Sequence, residues 1–238
     1  MLSGGEAHHA LHVLRVRKGE EVTVLDGAGQ EFLCTVQATE RAQVQLKMLE
    51  RKVHRALPCQ VTLVQALPKG RIIEAIIQKA TELGTWRIVP LLSERVVSDL
   101  DEKAAHDKQA KWQTVAVEAI KQCGSPWLPR VCAPITPADF LARSDRAELA
   151  LLASLQPGSR HAREYFNAFA GKYQRAPKSI QIWIGPEGDF TGNEVENIEA
   201  SGASPITLGP RVLRTETAAI YCLSIVNHEL EATAGVFK

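Results

Sequence analysis

The sequence predicts an α/β protein: a small β-rich segment over residues 1–55, then a larger domain over 59–238 with parallel strands joined by helical crossovers. Three observations carry this reading. From Gln60 onward short apolar runs alternate with helical periods, the rhythm of strand and crossover-helix units. Before Arg51 the runs are short, β-like and punctuated by turn residues. Between them, Arg51 to Pro58 is charged and ends in proline, the composition of a domain boundary.

In the first segment, Val22 to Leu25 reads as a strand, Asp26-Gly27 as a hairpin turn, and Glu31 to Val36 and Ala42 to Leu49 as further strands. Gly27-Ala28-Gly29 opens like a dinucleotide fingerprint, but strand-like Phe32 to Val36 follows in place of a helix and no third glycine arrives. In the second, Gln60 to Leu67 reads as a buried strand. Arg71 to Leu83 reads as a helix stopping at Gly84, with Ile72, Ile73, Ile76, Ile77, Ala80 and Leu83 on one face. Strand Arg87 to Leu92 and a polar loop through Asp107 come next. The following helix groups Trp112, Val115, Ala119 and Cys123 on one face, with Glu118 and Gln122 on the other. Strand Glu148 to Ala153, helix Arg160 to Lys172, strand Ser179 to Ile184, helix Gly192 to Ala200, strand Pro205 to Leu208 and a last helix from Thr215 complete the chain.

Composition excludes several classes. With 45% hydrophobic and 23% charged residues the chain is ordinary globular material. It has no run approaching the roughly 18 apolar residues of a membrane span, and no signal-peptide pattern, so a cytoplasmic protein is expected. Cys34, Cys59, Cys123, Cys132 and Cys222 are scattered and show no zinc spacing; they read as idle thiols, and no metal is expected. The net charge of +1 gives no sign of a nucleic-acid partner. The densest basic patches are Arg15-Val16-Arg17-Lys18 and Arg51-Lys52-Val53-His54-Arg55; each alone reads as a solvated loop face.

The chemistry concentrates in two glycine turns, Ile184-Gly185-Pro186-Glu187-Gly188-Asp189-Phe190-Thr191 and Leu208-Gly209-Pro210-Arg211-Val212-Leu213-Arg214-Thr215-Glu216-Thr217-Ala218. Each follows a strand and precedes a helix, so both sit at carboxyl ends of parallel strands, where ligands gather. The pair reads as a cofactor pocket. Thr191 and Glu194 have capping-box spacing and hold the first turn tight; Gly188 is expected at positive φ, and Gly185 to let a ligand touch backbone. Arg214 stands out, because a cation at a helix start opposes the macrodipole. Unless it pairs with Glu216 or Glu187, it points to an anion or a polar substrate. The helix that follows, Ala218 to Val226, is apolar on nearly every face, which predicts burial on all sides and a homodimer to complete it.

At these residues the chain resembles the RsmE family, the small-subunit ribosomal RNA uridine N3-methyltransferases of the SPOUT superfamily. His9 with Val13-Leu14-Arg15 and Gly19, Lys69, Glu82-Leu83-Gly84, Pro90 with Glu94-Arg95, and Glu118-Ala119 with Gln122 extend the likeness along most of the chain. The resemblance implies a PUA-like RNA-holding β-barrel, then an α/β domain whose last segment threads a trefoil knot. It also implies S-adenosylmethionine as cofactor, a dimer, and 16S rRNA of the small ribosomal subunit as substrate. By position it assigns Leu152, Ala153, Ile184, Gly185, Gly188, Leu208, Gly209, Leu213, Thr215, Thr217 and Ala218 to the cofactor. His9, Arg15, Arg17, Lys18, Lys69, Arg71 and Arg95 fall to the RNA.

Uridine N3 is protonated at neutral pH, so its methylation needs positioning together with a base or a cation that stabilises the anion. Arg214 is the candidate cation, and Glu216 or Glu187 the candidate base or orienting group. The chain departs from the family pattern at Asp189, which replaces a second glycine; after Gly124, where an arginine is missing; and at Met1, which falls where the first domain has already begun, so the usual opening strand is expected to be absent. An RNA-binding or assembly protein without activity, and a SPOUT methyltransferase acting on tRNA ribose, are the competing readings.

Overall fold

The computed structural model describes residues 1–95, 102–143, 145–156 and 158–236. The chain divides into two units: residues 1–56 with the excursion 124–127, and the rest.

The first unit contains β1 (Leu2–Ser3), α1 (Gly4–His8), a π-helical turn (His9–Val13), β2 (Glu21–Leu25), β3 (Gln30–Glu40) and β4 (Gln43–Val53). Its strands form a curled antiparallel half-barrel in the order β1-β4-β3-β2. Ala10, Val36 and Val44 are its buried centre, with Leu2, Leu11, Val16, Val22 and Leu46 packed around them. The unit opens with β1, a strand of only two residues that pairs antiparallel with β4. The Asp26-Gly27 turn forms as expected: Asp26 Oδ1 accepts from the N–H groups of Ala28 (2.7 Å) and Gln30 (2.9 Å), and Gly27 and Gly29 have φ of 70° and 96°. β3 and β4 outrun the expected strands, because their ends pair as a ribbon beyond the core. Arg51, Lys52 and Val53 thus lie in a strand and not a loop.

The second unit holds β5 (Gln60–Ala66), α2 (Ile72–Glu82), β6 (Arg87–Leu91), α3 (Glu102–Cys123), β7 (Arg130–Val131), α4 (Pro137–Ala142), β8 (Leu149–Ala153), α5 (Ala162–Tyr173), β9 (Ser179–Ile184), α6 (Gly192–Ala200), β10 (Ala203–Ile206) and α7 (Thr215–Val236). Six strands pair in parallel in the order β10-β8-β9-β5-β6-β7. Alternation along the strands gives the sheet two apolar faces. Val61, Leu63, Ile180, Ile182 and Ile184 meet α2, α3, α5 and α7 on one side. Val64, Ala66, Trp183 and Leu91 meet α4 and α6 on the other, where Phe140 packs edge-on to Trp183.

Several expectations need correction. α3 begins at Glu102, inside the expected polar loop, of which residues 96–101 lie outside the described ones. Its buried face is Trp112, Ala116, Ala119 and Ile120, whereas Cys123 is exposed at the helix end. β10 ends at Ile206, two residues early, because Gly209 at φ 98° already turns the chain. β7 and α4 were not expected; two and six residues are too few to display a period. The final helix, expected to be covered in part by a second subunit, has both buried and exposed residues within the chain. Ala218, Ala219, Cys222, Leu223 and Val226 are buried, while Tyr221, Ser224 and His228 are exposed.

All five cysteines are free thiols, and burial pushes those of Cys59 and Cys222 up to about 12, where they are inert. Among the described residues no helix is long and apolar enough to cross a membrane.

Candidate active site

Because the six strands are parallel, their carboxyl ends share one edge of the sheet, and the segments leaving β8, β9 and β10 meet there. They enclose a cavity of about 70 Å³ lined by Ala153, Ser154 and Leu155 after β8, by Ile184, Gly185, Pro186, Glu187 and Asp189 after β9, and by Leu208, Arg211, Val212, Leu213, Thr215 and Ala218 around the start of α7. The walls are mostly aliphatic. Glu187, Asp189 and Arg211 supply charge at the rim.

The turn after β9 is held from every side. Asp189 N–H donates to the Pro186 carbonyl (2.9 Å), and Asp189 itself, not Gly188, takes the left-handed conformation at φ 60°. Its carboxylate accepts from Phe190 N–H (2.8 Å), the local hydrogen bond that lets Asp tolerate this region. Gly185 serves the same turn: a Cβ there would lie 2.7 Å from Asp189 Oδ1 and 3.2 Å from its Cα. A side chain at 185 would therefore crowd the closed turn. Downstream, Thr191 and Glu194 form the expected capping box of α6, and Glu194 Oε1 also accepts from Glu94 N–H (2.9 Å).

Neighbouring strands reach in to secure this turn. Lys69 N–H, after β5, donates to Glu187 Oε1 (2.9 Å), and the Arg95 guanidinium, after β6, donates to the Gly188 carbonyl. Thr215 Oγ1, at the first turn of α7, donates to the Gly185 carbonyl (2.7 Å) and accepts from Gln65 Nε2 (2.9 Å). Thus Lys69 and Arg95, expected to contact RNA, adjoin the loop expected to contact cofactor.

The remaining expected residues divide clearly. Ala153, Ile184, Gly185, Leu208, Leu213, Thr215, Ala218 and Glu187 line the cavity. Leu152 does not; at 1% exposure it packs beneath, in the core cluster of Trp183. Gly188 is an exposed corner of the turn, Gly209 is an exposed left-handed residue, and Thr217 points from the exposed side of α7. Arg214 is exposed just before α7, Glu216 half-buried in its first turn, and neither lines the cavity. No hydrogen bond or ion pair joins the Arg214 side chain to Glu216 or Glu187 among the described residues. Arg71 is exposed at the start of α2. In the first unit, Arg15 is exposed with φ 55°, Arg17 and Lys18 are exposed, and His9 is half-buried in the π-helical turn. Ser154, Leu155 and Gln65 carry no sequence signal for the site, whereas Arg211 and Val212 lie within the second glycine turn. Exposed apolar residues such as Leu155 (60%) and Val212 (78%) carry no periodic signal.

A parallel sheet with a loop-built cavity at its carboxyl edge, preceded by a small antiparallel β unit, defines a class: residues 55–227 match the RNA methyltransferase domain family, and residues 2–49 match the RNA methyltransferase PUA domain. The Bacillus subtilis ribosomal RNA small subunit methyltransferase E is 34% identical over 98% of this chain and 91% of its own length. The Synechocystis protein of the same description is 36% identical over 97% and 73%. The Neisseria gonorrhoeae ribosomal RNA small subunit methyltransferase E, solved bound to S-adenosyl methionine, superposes with a TM-score of 0.81 at 28% identity, covering 94% of this chain and 89% of that one. A Legionella pneumophila protein solved in complex with bound SAM gives 0.85 at 32%, covering 95% and 90%. The chain belongs to the ribosomal RNA small subunit methyltransferase E family.

Proposed function

We propose that this protein transfers a methyl group from S-adenosylmethionine to N3 of a specific uridine in 16S rRNA, acting on the small ribosomal subunit in the cytoplasm. One observation carries the reading: the segments after β8, β9 and β10 converge on one cavity whose aliphatic walls suit a purine and whose rim holds both signs of charge. That donor set fits the group. Bound there, S-adenosylmethionine would be held by the apolar surface of Leu155, Ile184, Leu208, Val212 and Leu213, with the Glu187 and Asp189 carboxylates available to its positive charge and Arg211 to its carboxylate.

Bound S-adenosylmethionine supplies a sulfonium-activated methyl. The chain's own residues orient the uridine and hold its charge. Arg214, exposed beside the cavity-lining Leu213 and Thr215, supplies the cation that stabilises the uridine anion as N3 gives up its proton. Glu216, in the first turn of α7, accepts that proton or orients the ring. Glu187, whose carboxylate is engaged by Lys69 N–H, acts as an orienting group of the loop. The half-barrel unit, with Arg15, Arg17, Lys18 and His9, holds RNA, as do Lys69, Arg71 and Arg95.

We also infer the trefoil knot and the homodimer. Support for the knot is that the chain leaves β10 at one sheet edge, yet Thr215 bonds to Gly185 after β9 and to Gln65 on β5. Support for the dimer is the uncovered face of α7 at Tyr221, Ser224 and His228. Light scattering that gives the mass of a single chain sinks the dimer.

The experiment for the activity offers methyl-labelled S-adenosylmethionine with small subunits lacking the modification, free 16S rRNA or tRNA, then identifies the product nucleoside by mass spectrometry. 3-Methyluridine in 16S rRNA is expected. A ribose-methylated tRNA nucleoside, or cofactor binding without transfer, overturns it. Arg214→Ala is expected to lower kcat about 10²- to 10³-fold with cofactor affinity kept; full activity removes Arg214 from the mechanism.

A further inference from the structure

The face of β5 that carries Val61 and Leu63 into the core also carries Gln65, at 0% exposure. An apolar residue would continue that row, since burying an amide costs free energy unless hydrogen bonds offset it. In register, Gln65 lies between Pro90 of β6 and Ile184 of β9, at the carboxyl edge of the sheet. Its Nε2 donates to the neighbouring Ala66 carbonyl (2.8 Å) and to Thr215 Oγ1 (2.9 Å), and the Thr215 hydroxyl passes on to the Gly185 carbonyl (2.7 Å). Gln65 Oε1 has no partner among the described residues. The amide is therefore tolerated in the core for what Nε2 holds.

We propose that Gln65 is a positioning residue for the methyl-donor cavity, acting through Thr215. The two hydrogen bonds tie the end of β5, the turn after β9 and the first turn of α7 to one hydroxyl group. Two of these segments supply cavity walls: Gly185 on one side, Thr215 and Ala218 on the other. The Thr215 hydroxyl donates once and accepts once within this chain, so Thr215 serves the cofactor by where it sets the wall. A preformed wall lowers the ordering cost of binding, so the relay acts on cofactor affinity. This inference rests on the reading that the cavity takes S-adenosylmethionine.

The test measures S-adenosylmethionine affinity by calorimetry, KM for cofactor and for RNA separately, kcat and the melting curve, for wild type, Gln65→Leu, Thr215→Val, Thr215→Ser and the Gln65→Leu/Thr215→Val double variant. Gln65→Leu and Thr215→Val are expected to weaken cofactor binding about five- to tenfold, the scale of one buried hydrogen bond, while KM for RNA stays at the wild-type value. The double variant is expected to match the worse single one, because both break one relay. Thr215→Ser, which keeps the hydroxyl, recovers most of the affinity lost in Thr215→Val. Unchanged cofactor affinity in Gln65→Leu, additive losses, or equal affinity in Thr215→Ser and Thr215→Val overturns the proposal. If Gln65→Leu does not fold, the Thr215 pair decides alone. Wild-type protein that binds no cofactor overturns the cavity reading itself, a result distinct from any pattern among the variants.

Discussion

At the scale of single residues, the turn after β9 shows two positions exchanging the work that glycines are usually given. Asp189 takes the left-handed conformation at φ 60°, and its own carboxylate accepts from Phe190 N–H. Gly185, which is not at positive φ, leaves room for this turn: a Cβ would meet Asp189 Oδ1 at 2.7 Å and the backbone at Asp189 Cα and Phe190 N at 3.2 Å. Gly185→Ala is therefore expected to push the turn outward and cost about 1–3 kcal/mol, the range for overpacking, read from urea denaturation. Asp189→Gly keeps the left-handed turn and is expected to stay within about 1 kcal/mol of wild type. Asp189→Val, β-branched at positive φ, is expected to cost about 1–2 kcal/mol. Equal stability for the glycine and valine variants contradicts this account of the turn.

At the scale of elements, α6 shows what makes a boundary legible. Its start follows the sequence reading because Thr191 and Glu194 are local signals, three residues apart, that bond to one another's backbone N–H. The second bond of Glu194, from Glu94 N–H, is non-local and could not be read. Thr191→Ala is expected to cost about 1 kcal/mol, the usual loss of a cap. Glu194→Ala is expected to cost more, about 1–3 kcal/mol, since it strands the N–H groups of both Thr191 and Glu94. Chemical denaturation giving the two variants equal losses removes the second bond from the account. The same contrast explains the elements that were misread. α4 carries a Thr136 cap and Pro137, but its six residues show no face. In α3 the period was legible, yet whether Val115 or Ala116 faced inward depended on the sheet beneath. The glycine turns marked the site, Val212 included, whereas Leu155 and Gln65 belong to it only through contacts far along the chain.

At the scale of the whole molecule, stability against acid has a nameable source at the sheet edge opposite the cavity. Glu148, just before β8, accepts from Arg175 Nη1 (2.8 Å) and Nη2 (2.7 Å) and from Lys178 N–H (2.7 Å), while its own N–H donates to Ser179 Oγ (3.0 Å). This fastens the start of β8 to the start of β9, two strands whose far ends supply cavity walls. The Arg175 guanidinium first, and Lys178 N–H second, hold the Glu148 carboxyl at about 2, well below its ordinary 4.5. A pKa depressed by folding means the unfolded chain takes up the proton first as pH falls. The stabilisation is therefore complete above about pH 4.5 and is lost progressively toward about pH 2. Other carboxylates titrate in the same window, so the informative quantity is a difference between two proteins. Melting temperatures of wild type and Glu148→Gln are expected to differ most at neutral pH, with wild type higher, and to converge as pH falls from 4.5 toward 2. Both side chains of the pair are partly exposed, at 39% and 33%, so salt is expected to narrow the neutral-pH gap without closing it, because the Lys178 N–H bond is not an ion pair. Parallel curves across the whole pH range show that Glu148 does not set the acid sensitivity of the fold.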